Sequence, residues 1–283
     1  SSGSSNTSWY GVRFVSGASG SSLVGLVLEE AQYGLRVEGG SLTRADAMTI
    51  RTCLYGTYVQ TGSITVTNTL YVGNSTGFRV DSGTSTADRV TVVNSSGSGV
   101  YAGGGNITLI SAIVTGNSTG VYRSSGSITT TFSNVWGNST NFFASSPGAS
   151  TISANPLFVS ASNFRLTSNS PSRFTGSGGV DMGALPYSGD ATPGLYGTLW
   201  VNTTAPTGAT MVPGDLTVAP GVTLTLPAGA TLTFATSDLM AANADTSRAQ
   251  LIVAGTLKIT GTAASPVTLN SSASSNNSWY GVS

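Results

Sequence analysis

Apolar and polar residues alternate in short runs along this chain, and most runs are entered through a glycine. YGLRV (Gly34), YGTYV (Gly56), TGFRV (Gly77), SGVYA (Gly99) and TGVYR (Gly120) share one layout, and TNFFA puts Asn141 at the glycine position. These markers follow one another at steps of 22, 21, 22, 21 and 21, and Gly11 of WYGVR precedes Gly34 by 23. Period-2 alternation nested in a period of ~20–25 residues is the pattern of a β-solenoid, with one coil per period and two or three short strands in each coil. Equivalent positions should then stack ~4.8 Å apart in parallel register.

The strand after each glycine reads directly. Its first residue is Val12, Leu35, Thr57, Phe78, Val100, Val121 or Phe142, apolar in every coil but one, and therefore inward. Its second residue is Arg13, Arg36, Tyr58, Arg79, Tyr101, Tyr122 or Phe143, and therefore outward. Such a column can be a self-stacking surface ladder or a glycan-contacting strip; cation–π and aromatic contacts at a surface contribute ~0.5–1 kcal/mol each. A second marker runs beside the glycines: Asn74, Asn94, Asn117 and Asn138, in VGNST, VNSSG, TGNST and WGNST. These predict a turn ladder, because side-chain amides bond from coil to coil and Asn tolerates left-handed backbone.

Downstream, DLTVAPGVTLTLPAGATLTFA (215–235) alternates strictly, with Pro-Gly and Ala-Gly turns, and LIVAGTLKITGTAASPVTLNSS (251–272) repeats the style. SGDATPGLYG (188–197) lacks alternation and marks a boundary. The division is therefore main and closing coils over 1–187, a linker over 188–196, and opening coils of a following unit over 197–283. The chain also carries one long-range repeat. SSGSSNTSWYGV at 1–12 returns as SSASSNNSWYGV at 271–282, differing only at Gly3/Ala273 and Thr7/Asn277. Trp9, Tyr10 and Gly11 thus recur as Trp279, Tyr280 and Gly281, 270 positions on, and read as a repeat seam.

Composition narrows the functional classes. Only 8% of the 283 residues are charged, 11 basic against 11 acidic, where a typical soluble domain has about 25%. So neutral a surface lacks the field that draws nucleic acid or anionic membrane, and neither is expected as a partner. No apolar run nears the ~20 residues of a membrane helix. Cys53 is the only cysteine, so no intrachain disulfide forms, and in IRTCLYG it reads as a small buried hydrophobe. No signal peptide is visible, which suggests a mature or excised segment.

VAPGVTLTLPAGATLTF, LIVAGTLKITGTAASPVTL and SWYGV together resemble the opening coils of bacterial right-handed parallel β-helix repeat proteins. NPLFVSASNFRLTSNSPSRFTGSGGVDMGALPY (155–187) resembles their closing coils. The matching positions there are Asn155, Pro156, Leu157, Phe158, Phe164, Arg165, Leu166, Ser170, Pro171, Asp181, Gly183 and Ala184. The order is rotated, opening coils following closing ones, and a tandem array with a 270-residue unit accounts for this. The resemblance implies an all-β right-handed parallel β-helix of about twelve coils of ~21–22 residues, in a secreted or cell-surface protein. At ~4.8 Å per coil one unit would extend the solenoid by roughly 60 Å.

Polysaccharide-cleaving relatives of that family use clustered carboxylates, and glycosidic cleavage needs paired carboxyls about 5–9.5 Å apart. Here no acid recurs at the coil period; the densest group is Asp81 and Asp88 with Arg79 and Arg89. The chain has no histidine, which removes Ser–His and Cys–His catalysis and leaves zinc without its usual ligands. The expectation is a structural repeat of a long extracellular filament or surface stalk: not an enzyme, without cofactor or metal, its partners neighbouring copies joined covalently or head to tail. The alternatives are an adhesin binding glycan on the outward ladder and, behind it, a polysaccharide lyase or hydrolase.

Overall fold

The computed structural model describes residues 9–283 apart from 41, 244 and 274. The first eight residues of the repeated N-terminal segment therefore lie outside the described residues, as does Ser274 of its second copy. The fold is all-β, and its sheets are parallel stacks of a solenoid with about ten turns. The chain divides into two compact units: Ser1–Ile152 with Ser172–Pro186, and Ser153–Pro171 with Tyr187–Ser283.

The first unit has three sheets. The first sheet stacks seven strands: β1 (Val12–Val15), β2 (Tyr33–Glu38), β3 (Tyr55–Thr61), β4 (Thr76–Val80), β5 (Ser98–Ala102), β6 (Thr119–Arg123) and β7 (Thr140–Phe143). The second and third sheets have six strands each, and the first six coils each contribute one strand to every sheet in turn. Val12, Leu35, Thr57, Phe78, Val100, Val121 and Phe142 are successive register partners. Leu35, Phe78, Val100 and Val121 are fully buried, each such side chain contributing ~1.5–3 kcal/mol. Thr57, the polar exception, is also buried; its hydroxyl lies 2.9 Å from that of Tyr71, itself buried.

The periodic glycines have a steric cause. Gly34, Gly56, Gly77, Gly99 and Gly120 are absent from the left-handed region. A Cβ at each would instead sit 2.4–2.9 Å from a backbone carbonyl oxygen of the next coil. Left-handed backbone occurs at the corner between the second and third sheets, at Ala47, Asn68, Arg89, Ser111 and Phe132, with φ between 47° and 51°. Each of these residues donates its N–H to a carbonyl of the following coil.

The segment expected to supply closing coils does something else, which is why the turns number about ten and not twelve. Residues 155–167 fold into a tight hairpin: Phe158 bridges Leu166 antiparallel, and Val159 N–H donates to Arg165 C=O at 3.0 Å. This hairpin belongs to the second unit. Residues 172–186 belong to the first unit and run along its third sheet as a strap. Ser172 Oγ accepts from Asn134 Nδ2 at 2.9 Å, Gly183 N–H donates to Ser111 C=O at 2.7 Å, and Ala184 N–H donates to Thr91 Oγ1 at 2.9 Å. The strap thus passes from the coil of Asn134 back toward that of Thr91. Under it both faces of the third sheet are buried, so Thr91–Val93 and Ile113–Thr115 read as unbroken apolar-or-threonine runs.

The second unit stacks β8 (Gly197–Leu199), β9 (Leu216–Val218), β10 (Gln250–Val253) and β11 (Gly281–Val282), beside two three-stranded sheets. Leu199, Leu216, Leu224, Leu226, Leu232, Phe234 and Leu251 form its core. The coil length here is not constant: Leu216 pairs with Leu251, and Leu251 with Val282. The extra residues sit in loops, the longest between Phe234 and Gln250.

Candidate functional site

Arg13, Arg36, Tyr58, Arg79, Tyr101, Tyr122 and Phe143 occupy one outward column of the first sheet, each the register partner of the next. A second aromatic column that sequence reading did not single out, Tyr10, Tyr33 and Tyr55, lies beside it. The rings stack along the sheet: Tyr101 on Tyr122 at 5.1 Å and 10°, Tyr122 on Phe143 at 4.7 Å and 7°, Tyr33 on Tyr55 at 5.4 Å and 12°. These separations are close to the strand spacing, so ring faces meet one another and ring edges face outward. The guanidinium of Arg36 lies over Tyr33 at 4.6 Å, and that of Arg79 over Tyr101 at 4.7 Å.

Carboxylates neutralise the arginines in place. Asp81 takes Arg79 in a two-pronged pair at 2.8 and 3.0 Å and accepts the Tyr58 hydroxyl at 2.7 Å. Burial, with Asp81 adding to it, pushes the Tyr58 phenol up to about 12. Glu38 bridges Arg13 and Arg36. Asp88 pairs with Arg89, so the Asp81/Asp88 group resolves into two separate ion pairs.

The amide column differs from its sequence reading at one position. Asn74 Oδ1 accepts from Cys53 N–H at 2.9 Å, and its Nδ2 donates to Ile50 C=O at 3.0 Å. Asn117 repeats the arrangement with Ser95 N–H (2.8 Å) and Val92 C=O (3.2 Å), and Asn138 with Asn117 N–H (2.9 Å) and Val114 C=O (3.0 Å). Each amide therefore ties a turn N–H and the C=O of a strand's central residue in the preceding coil. Asn94 is not part of this column. It is exposed, with φ of 58°, at the corner position that Gly73, Gly116 and Gly137 hold in their coils. The column residue is Ser95, whose Oγ is buried without a hydrogen-bond partner. Spacing carries the signal: Asn94 stands five residues before its glycine, whereas Asn74 and Asn117 stand three before theirs. Cys53 belongs to the same column, fully buried, and burial pushes its thiol up.

The acids are engaged in structural contacts. The most perturbed is Asp215, 2% exposed, raised to about 6 by burial although Asn243 Nδ2 (2.7 Å), Gln250 N–H (3.0 Å) and Gln250 Nε2 (3.2 Å) all donate to it. Asp238 accepts the N–H groups of Asp215, Met240 and Ala242 and so holds the Phe234–Gln250 loop. Asp46 is held down at about 2 by hydrogen bonds from Thr67 and Asn68 and by Arg44.

The two seam copies sit at sheet edges. β1, entered through Trp9, Tyr10 and Gly11, is the first strand of the seven-stranded sheet; β11, entered through Trp279 and Tyr280, is the last of the four-stranded sheet. Both glycines have left-handed φ, 99° at Gly11 and 114° at Gly281. Inward residues of these end coils are only partly covered: Val12, Phe14, Leu23 and Leu26 in the first unit, Leu257, Val267 and Leu269 in the second, with Ile259 52% exposed. No protein-family profile, curated protein or solved structure matches the chain.

Proposed function

We propose that this chain is a structural β-solenoid repeat unit of a long extracellular filament or cell-surface stalk. Neighbouring copies join it end to end, covalently or head to tail, and it acts without catalysis, cofactor or metal. The observation that carries this reading is the pair of end coils: each leaves apolar inward residues partly uncovered at a parallel edge that is unpaired among the described residues, and each bears the same Trp-Tyr-Gly-Val entry. A free edge of a parallel stack recruits another strand unless something blocks it. The engagement of Asp81, Asp88, Asp215 and Asp238 in structural contacts favours this role over a polysaccharide lyase or hydrolase. The face-to-face stacking of the ladder rings favours it over an adhesin, because a sugar platform needs an open ring face.

Electron microscopy and sedimentation of the chain, alone and as a tandem, test the proposal. Filaments of constant width with one regular axial period per 270-residue unit are expected. Monodisperse single particles at every concentration, with tandem copies that melt independently, would overturn it. Glycan-array binding lost on Tyr58→Ser, Tyr101→Ser and Tyr122→Ser together would support the adhesin instead.

A further inference from the structure

The two seam copies make contacts that complement rather than repeat one another. Trp9 and Tyr10 direct their carbonyls to the coil that follows, accepting from Gln32 N–H (2.8 Å) and Tyr33 N–H (3.0 Å). Tyr280 directs its N–H to the coil that precedes, at Ala249 C=O (3.0 Å), and Ser283 pairs both ways with that coil, through Leu251 C=O (3.0 Å) and Val253 N–H (2.8 Å). Side chains divide likewise. Trp9 Nε1 donates to Glu29 C=O at 2.9 Å, whereas Trp279 stacks on Phe234 at 4.3 Å and 15°. Tyr10 carries the guanidinium of Arg36 at 5.5 Å from the following coil, and Tyr280 that of Arg248 at 5.5 Å from the preceding one. At Gly11 a Cβ would lie 1.4 Å from Tyr33 O, whereas a Cβ at Gly281 would meet nothing within 4 Å among the described residues.

Resting on the end-to-end reading above, we infer that 279–282 and 9–12 are one and the same coil, seen once from each side. In the assembled solenoid the strand Val12–Val15 of the next copy occupies the place of β11 on β10, with Val12 beside Leu251 and Arg13 beside Ile252. The register follows from two observed pairings, Leu251 with Val282 and Val12 with Leu35. One tyrosine then lies between Arg248 and Arg36, and one tryptophan stacks on Phe234 while donating to the Glu29 carbonyl. The glycine before Val282, open on its Cβ side in the single chain, becomes a steric requirement once Tyr33 of the next copy stacks there. Stacking second sheet on second and third on third brings Leu23 and Leu28 over the partly exposed Ile259 and Leu269.

The test compares two tandem proteins: residues 1–282 followed by 13–283, which shares the seam coil, and 1–283 followed by 1–283, which duplicates it. Each carries Ile252→Cys in the first copy and Arg13→Cys in the second; in the shared tandem the residue taking the Arg13 place is that Cys. In-register parallel neighbours lie about 4.8 Å apart at Cα, within disulfide reach, whereas a coil further on is beyond the ~7 Å limit. The shared tandem is expected to form the disulfide under mild oxidation and to melt at a higher temperature than the duplicated one. Gly281→Ala is expected to lower the melting temperature of the shared tandem several-fold more than that of the single chain. A duplicated tandem that melts as one unit at or above the temperature of the shared tandem, and forms no disulfide, would overturn the shared coil and leave end-to-end joining intact. Two tandems that both melt as the single chain does, without the disulfide, would overturn both.

Discussion

Replacing Ser95 by Asn fills the gap in the amide column. The serine Oγ is buried without a partner, a state that costs ~1–3 kcal/mol for a polar group. An amide here repeats the geometry of Asn117 one coil earlier: Oδ1 reaches the Asn74 N–H, and Nδ2 reaches the Tyr71 carbonyl. Space is available, since Gly77 stands opposite position 95 as Gly99 and Gly120 stand opposite Asn117 and Asn138. A Cβ at Gly99 or Gly120 would lie 3.0 or 2.7 Å from those amide nitrogens. Two added cross-coil hydrogen bonds at ~1 kcal/mol each, less roughly 1 kcal/mol for ordering the side chain, leave a gain of about 1 kcal/mol. At ~2–4 °C per kcal/mol for a domain of this size, the melting temperature rises by roughly 2–4 °C. Guanidinium and thermal melts followed by far-UV circular dichroism measure this, with an unchanged denaturant slope showing that only stability moved. Asn117→Ser is the mirror experiment and should lose about 2–3 kcal/mol, because the Ser95 N–H and Val92 carbonyl lose their side-chain partner. A Ser95→Asn protein that melts below the parent, or an Asn117→Ser protein that melts with it, would refute the column as a stabilising device.

Glycine substitutions separate steric from conformational causes: Gly77→Ala sets a methyl 2.6 Å from Gly99 O and 2.5 Å from Val92 Cγ1 and should cost about 3 kcal/mol, the upper end of the range for core overpacking. Gly73→Ala, with φ of 61° and nothing within 4 Å, should cost about 1 kcal/mol. Cys53 should resist a thiol reagent in the native protein and react at once in denaturant, since it is fully buried with a raised thiol pKa; rapid native labelling would contradict its place in the column. Two carboxylates impose opposite pH slopes. Asp46, at about 2 in the fold against ~3.9 unfolded, contributes stability above pH ~4 that is lost as pH falls toward 2, and Asp46→Asn should flatten that acid limb. Asp215, at about 6, holds its proton in the fold where the unfolded chain has released it, so stability declines as pH rises from ~4 to 6; denaturant midpoints against pH for Asp215→Asn should lack that decline.

Local rules make much of the solenoid legible in the amino-acid sequence. The 21–22-residue glycine step reflects a collision repeated in every coil, so it is written once per coil. Inward and outward parity follows from the pleat, which is why the Arg13-to-Phe143 column falls into register as read. The position of Asn94 is harder, because Ser96–Gly97 inserts a residue between the column and its glycine, and the match of residue type hides the slip. Even so, the five-residue spacing is visible.

Other features depend on contacts between distant segments. The family-like motif at 155–187 suggests coils, yet its first part closes into the hairpin of Phe158 and Leu166 and its last part lies as a strap on Thr91, Ser111 and Asn134. Neither half alternates, so no local pattern declares its partner. Asp215 likewise looks like an ordinary strand-edge acid, but the Phe234–Gln250 loop buries it. Coil period and sheet faces are written along the chain, because each arises from neighbours one coil away repeating the same geometry, and the 270-residue recurrence is a direct match of residues. Long-range packing settles which segments leave the stack and which carboxylate loses water. The structure also shows that the two Trp-Tyr-Gly-Val copies bond in opposite directions, the first to the coil that follows it and the second to the coil that precedes it, since hydrogen-bond direction at an edge depends on which neighbour is there.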